Sequence, residues 1–200
     1  MKTVLKIDSS VFGEHGVSTQ LANELVEQLK GQNPELTVIQ RRFADQAVPH
    51  VDGEWIQALM TDAAERSQAQ QDKVDYSDNL INEVKSADAL VITLPMYNFN
   101  VPSMLKAWFD HIARAGVTFK YTETGAVGLV EDKPVYLITT RGGVHKGTAA
   151  DTQIQFVKTF LNFIGLTKVE VVYAEALNMG DTREPSIDSA KQEIAELVQA

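Results

Sequence analysis

Residues 94 to 121 read LPMYNFNVPSMLKAWFDHIARAGVTFKY. An apolar run, Ala89 to Leu94, leads into this stretch and stops at Pro95. Proline confines the residue before it to extended backbone and cannot donate to a sheet ladder, so a strand is expected to end there. Pro102 suits the first turn of a following helix, expected over Val101 to Ala115, where its missing N–H costs nothing. Between the two prolines, Met96, Tyr97, Asn98 and Phe99 place polarizable, aromatic and amide groups at the carboxyl end of a central strand. Open α/β sheets bind ligands at that place. Flat side chains suit the face of a planar ligand and an amide suits its polar edge. The same residues could equally close the core beneath an ordinary loop.

On either side of this segment, strand and helix patterns alternate. Thr3 to Ile7 and Thr37 to Arg41 read as strands around a helix from Ser18 to Lys30, with Ser18 as the expected N-cap. The segment 43 to 77, with a short helix at Glu54 to Met60 and a Gln-rich run, reads as an excursion beside the sheet. From Val74 to Lys85 the apolar spacing is helical. After the central helix, Thr118 to Tyr121 and Ala126 to Val130 read as a hairpin turning at Thr124 and Gly125. Lys133 to Thr139, a helix at Asp151 to Ile164, a strand at Val169 to Tyr173 and a helix from Pro185 complete the chain. Alternation of this kind predicts a parallel sheet covered on both faces. Five core strands fit the doubly wound order 2-1-3-4-5, whose switch point lies between the first and third strands. No linker or repeat interrupts residues 1–200, which read as one domain.

Composition narrows the chemistry. The chain has 200 residues, 44% of them hydrophobic, and a net charge of −9 with no clustered lysine or arginine. A nucleic-acid partner, held through basic surplus, is not expected. With no cysteine, disulfides, thiolate nucleophiles and iron–sulfur ligation are excluded. The four histidines have no metal-ligand spacing, so no metal site is expected. No apolar stretch approaches the roughly 20 residues a membrane span needs. The expected setting is cytoplasmic, and redox chemistry would require a bound cofactor.

Three loops fall at the predicted ligand edge. Ser9 to Thr19 is rich in small hydroxyl and glycine residues and runs into a helix N-terminus, a plausible phosphate nest. It lacks the P-loop lysine and the dinucleotide glycine fingerprint. The second loop is Met96 to Phe99. The third, Thr140, Arg141, Gly142, Gly143, Val144 and His145, has paired glycines that let backbone N–H groups approach a ligand. Each alone could be a plain βα connection, but three together at one sheet edge point to a ligand.

The run PMYNFNVPSMLKAWFDHIARAGVTFKYTETG at 95 to 125, TTRGGVHK at 139 to 146 and KIDSS at 6 to 10 resemble the FMN-dependent NADH-azoreductases, flavodoxin-like quinone reductases of bacteria. The resemblance covers nearly the whole chain. It implies a flavodoxin-like α/β fold and makes the three loops an FMN site. Ser10, Gly16, Val17 and Ser18 match the phosphate loop, Met96 to Phe99 the segment along the isoalloxazine, and Thr140 to Gly143 the loop under its pyrimidine edge. The family often has serines flanking a glutamine where this chain has Gly16, Val17 and Ser18, and often a serine at Thr140. It further implies NADH or NADPH as donor, quinones and azo compounds as acceptors, ping-pong hydride transfer without a required side-chain acid or base, and a homodimer with sites at the interface. Phe119, Tyr121, His145 and Phe163 are the candidates for the substrate pocket. The helix Val101 to Ala115, with Trp108 and Phe109, and the hairpin after it are the surfaces expected to meet a second copy. A flavodoxin-type electron carrier and a free-flavin reductase are the alternatives. A phosphoacceptor receiver domain would need an acidic residue where Leu94-Pro95-Met96 stand.

Overall fold

In the computed structural model, which describes residues 1–199, five strands build one parallel sheet. They are β1 (Thr3–Asp8), β2 (Thr37–Arg42), β3 (Ala89–Pro95), β6 (Val135–Thr140) and β7 (Val169–Ala174), with β4 (Phe119–Thr122) and β5 (Gly125–Gly128) forming a separate hairpin. The sheet order is β2-β1-β3-β6-β7. With the hairpin set aside this is the expected 2-1-3-4-5. Every residue of β3 is buried, as a strand covered on both faces requires.

Helices α1 (Val17–Gln32) and α6 (Arg183–Gln199) cover one face, where Leu21, Leu25, Ala190 and Ile194 pack on Val4 and Val91. On the other face lie α3 (Gln68–Ser86), α4 (Ser103–Ile112) and α5 (Thr152–Ile164), which bury Leu5, Ile92 and Leu137 among Leu80, Leu105 and Val157. A short α2 (Gly53–Met60) docks on α3. Its first turn is capped by Asp52, whose carboxylate accepts from the Trp55 N–H at 2.7 Å.

Several boundaries differ from expectation, each for a local reason. The Gln-rich run is the start of α3: Ser67 and Gln70 form a reciprocal capping box there, a polar signal that apolar periodicity misses. The central helix is shorter than Val101 to Ala115, because Pro102 stands at its N-cap with φ −54 and ψ 141 rather than inside its first turn. The hairpin turns at Glu123 and Thr124, with Thr122 paired to Gly125. Trp108 and Phe109 are wholly buried. Phe109 stacks on Phe160 at 4.2 Å between ring centroids. These two side chains belong to the chain's own core.

Candidate functional site

At the carboxyl edge of the sheet, β1 and β3 are fastened to one another where the order reverses. The Ser9 N–H donates to Thr93 Oγ1 at 2.7 Å, and Ser9 Oγ donates to the Thr93 carbonyl at 2.5 Å. The loops leaving the strands open from this fixed edge around a cleft of about 280 Å³.

Ser10, Gly16, Val17 and Ser18 form one end of the cleft. The sequence predicts Ser18 as an N-cap, but Gly16 holds that position, extended at φ −67 and ψ 132, and no side chain caps the helix. The N–H groups of Val17, Ser18 and Thr19 therefore have no acceptor within the described residues. Ser18 Oγ and Thr19 Oγ1 are likewise buried without a partner. Ser10 occupies the space beside Gly16, so that a Cβ on Gly16 would sit 2.8 Å from the Ser10 Cβ. A helix start with free N–H groups, buried free hydroxyls and a positive dipole is a receptor for an oxyanion.

The second loop is a two-residue turn. The Tyr97 N–H donates to the Asn100 carbonyl at 3.0 Å and the Asn100 N–H returns to Tyr97 at 3.1 Å. Asn98 and Phe99 between them lie at φ +51 and +66, as a type I′ turn demands. Asparagine tolerates this region, whereas phenylalanine pays about 1–2 kcal/mol for it. Pro95, Met96 and Tyr97 line the cleft. Asn98 faces an adjoining hollow of about 430 Å³ with Asn100 and Phe156. Phe99 is exposed, and its ring meets His145 edge-on at 5.8 Å. Tyr97 also bridges loops, since its hydroxyl accepts from the Val11 N–H at 3.3 Å.

In the third loop, Thr140, Arg141 and Gly142 line the cleft. Ala176, Leu177 and Asn178 donate their N–H groups to the carbonyls of Gly143, Arg141 and Gly142. The loop's carbonyls are thus occupied on the far side, while the N–H groups of Gly142 and Gly143 have no acceptor among the described residues. The Arg141 side chain is wholly buried and turned into the protein. It pairs with Asp151 at 2.6 Å and Glu175 at 3.3 Å, and lies 5.0 Å from the centre of the Tyr173 ring. Burial pushes the Tyr173 hydroxyl above its ordinary range, and Asp151 pushes it further. Glu175 also accepts the N–H groups of His145 and Lys146 at 2.8 Å each. Arg141 is therefore a strut of the loop.

Sequence reasoning missed two parts of the site. One is the segment after β7, which brings Leu177, Asn178 and Arg183 to the cleft. The other is Gln153 at the start of α5, fully buried, whose Nε2 donates to Pro95 and Asn100 carbonyls at 3.1 and 3.2 Å. Conversely, Phe119, Tyr121 and Phe163 do not line this cleft. Phe119 packs on Phe163 at 4.2 Å, near the end of α5 away from Gln153. The helix is roughly 20 Å long, which sets the distance between those rings and the cleft within one chain.

A family model described as "flavodoxin-like fold" matches residues 2–198. The FMN-dependent NADH:quinone oxidoreductase of Cellvibrio japonicus is 54% identical over 200 residues, covering 100% of both chains. The chain belongs to this flavodoxin-like family. Its member from Saccharophagus degradans, of the same description, is 48% identical over 99% of this chain and 94% of its own. Among solved structures, an FMN-dependent NADH-azoreductase from Bacillus anthracis in complex with FMN superposes with a TM-score of 0.91 at 28% identity, over 100% of this chain and 98% of that one. Among the described residues, no helix of this family member is long and apolar enough to cross a membrane, and no cluster of ligating side chains could hold a metal.

Proposed function

We propose that this chain is an FMN-dependent NAD(P)H oxidoreductase that reduces quinones by two electrons and cleaves aromatic azo compounds to amines, in a cytoplasmic setting. The observation that carries the reading is the set of unpaired donors on one cleft: the Ser18 hydroxyl and the N–H groups of Val17 and Ser18 at the start of α1, and the Gly142 N–H in the third loop, with Thr19 and Gly143 next to them in the chain. Buried polar groups are normally paired, so this concentration of unpaired ones fits a bound ligand. The donors at α1 suit a phosphate, those of Gly142 and Gly143 suit the carbonyl oxygens of a pyrimidine edge, and Met96 and Tyr97 suit a flat ring. The residues present fit FMN.

When bound, FMN supplies hydride acceptance from a nicotinamide and two-electron delivery to an acceptor, an azo bond needing two such rounds. The protein's part is positional and electrostatic. Ser10 and the first turn of α1 would hold the phosphate. The turn at Asn98 and Phe99 fixes the wall formed by Met96 and Tyr97. The N–H groups of Gly142 and Gly143 would stabilise negative charge that gathers at the pyrimidine edge during reduction. No side-chain acid or base is needed.

The geometry of one chain leaves Phe119, Tyr121 and Phe163 far from its own cleft, and the hairpin exposes Tyr121, Val127 and Leu129. In a homodimer these groups of one protomer would cover the cleft of its partner, with His145 of the third loop at the rim. Sedimentation at micromolar concentration tests this part: a monomer rules it out. The enzymatic reading is tested by steady-state kinetics with NADH and a benzoquinone. Parallel double-reciprocal lines are expected for two reactants that use one site in turn, and intersecting lines would reject that order.

A further inference from the structure

The cleft lies in a protein of net charge −9, yet only two of its lining residues are charged, Arg141 and Arg183, and none is acidic. The Arg141 guanidinium is committed to Asp151 and Glu175. Arg183 opens α6, is about half exposed, and has as its single ion-pair partner among the described residues the adjacent Glu184, at 3.7 Å and more exposed still. Such a contact between neighbours on the surface holds a side chain weakly. Helices α1 and α6 pack side by side, and both follow strands of a parallel sheet, so their first turns emerge at the same edge. Arg183 therefore stands beside the start of α1, where Ser18 Oγ, Thr19 Oγ1 and three N–H groups have no partner.

We propose that Arg183 is the side chain that neutralises the phosphomonoester in this cleft, swinging from Glu184 onto the ligand; the inference rests on the FMN reading above. The N–H groups and hydroxyls of the first loop supply directional hydrogen bonds but only partial charge, and the dianion is otherwise surrounded by an acidic protein. A guanidinium supplies a full charge and paired donors matched to phosphate oxygens. Gly16 adds to the need, since it leaves the loop with no hydroxyl at that position.

The test compares FMN with riboflavin, which lacks the phosphate, by quenching of flavin fluorescence on titration with apoprotein at two salt concentrations. Arg183→Gln should weaken FMN about tenfold, flatten the salt dependence of its binding, and leave riboflavin unchanged. Arg183→Lys should recover most of the loss, and unchanged riboflavin binding shows that each variant is folded. Equal FMN affinity in wild type and Arg183→Gln would overturn the proposal. A raised KM for NADH with FMN affinity intact would also overturn it, assigning Arg183 to the pyrophosphate of the donor instead. If wild type itself binds FMN no better than riboflavin, the phosphate reading of the cleft fails first.

Discussion

Thr139 Oγ1 donates to Gln153 Oε1 at 3.1 Å and accepts from Arg141 Nε at 3.3 Å, so one buried hydroxyl joins the two loops that flank the cleft. On one side Gln153 holds the carbonyls of Pro95, at the end of β3, and of Asn100, which closes the Tyr97–Asn100 turn. On the other, Arg141 and Glu175 hold the backbone of the third loop. The strained Phe99 is retained because both ends of its turn are tied down; Thr152 Oγ1 also donates to the Phe99 carbonyl at 2.7 Å.

Gln153→Leu removes this tie and takes one donor from each of the Pro95 and Asn100 carbonyls, of which Asn100 keeps the Tyr97 N–H. The apoprotein should lose about 1–3 kcal/mol in urea unfolding. FMN and riboflavin should weaken by the same factor, since the turn meets the ring and not the phosphate. Unequal losses for the two flavins would show that Gln153 acts elsewhere.

Ser18→Ala should separate binding from folding in the opposite way. The Ser18 hydroxyl is buried and unpaired in the free chain, so its removal should leave the apoprotein's melting temperature unchanged or raised. FMN affinity should fall by about 1.5–3 kcal/mol, the range for a hydrogen bond to a charged group. A destabilised apoprotein with full FMN affinity would return Ser18 to the structural role that sequence spacing suggests.

The layered fold was legible because β1, β3 and β6 are largely apolar runs bounded by turn residues and the three loops follow them directly, while the strand order rested mostly on the family resemblance. What escaped was polar. Ser67 and Gln70 start α3 through reciprocal hydrogen bonds that leave no apolar trace. Lys6 and Asp8 lie buried on one face of β1 and pair at 2.7 Å, a contact that apolar periodicity does not show. Gln153 and Arg183 reach the site from segments over 50 residues distant from the loops they serve or adjoin, and only the folded register brings them there. Phe119 and Phe163 stand apart from the cleft within one chain, and sequence spacing does not tell whether a second copy brings such rings to a ligand.

His111 gives the protein an acid-sensitive joint away from the cleft. Its ring lies edge-on to Trp55 and Tyr76, and Nε2 meets the Pro49 carbonyl at 2.9 Å, so the neutral ring carries its proton on Nε2. A second proton would place an N–H on Nδ1, which is buried without a partner. Burial holds the pKa below the ordinary 6.5, against the opposing pull of the Pro49 carbonyl, Asp110 and Asp52. With the folded value depressed, the unfolded chain binds the proton first. Stability from this group is present above 6.5 and lost as the pH falls toward and through the folded value. Melting temperatures followed from about pH 8 to pH 5 should fall more steeply for wild type than for His111→Phe; parallel curves would exclude the effect.

Gly128 fixes the hairpin to the end of α5. A Cβ there would overlap the peptide joining Ile164 to Gly165, and backbone cannot swing aside as a side chain can. Gly128→Ala should cost about 1–3 kcal/mol and displace the hairpin. Sedimentation should then show weakened self-association, whereas an unchanged dimer would remove the hairpin from the interface.

The proposed function stands on one cleft receiving electrons from NADH and giving them to a quinone. It is tested most directly without oxygen, by following the visible absorbance of the FMN-loaded protein, freed of excess flavin, through additions of NADH and then of a benzoquinone. Loss of the absorbance with one equivalent of NADH and its return with one equivalent of quinone are expected. A protein that retains no FMN, or whose retained flavin NADH cannot bleach, would contradict that function and favour a free-flavin reductase or an electron carrier.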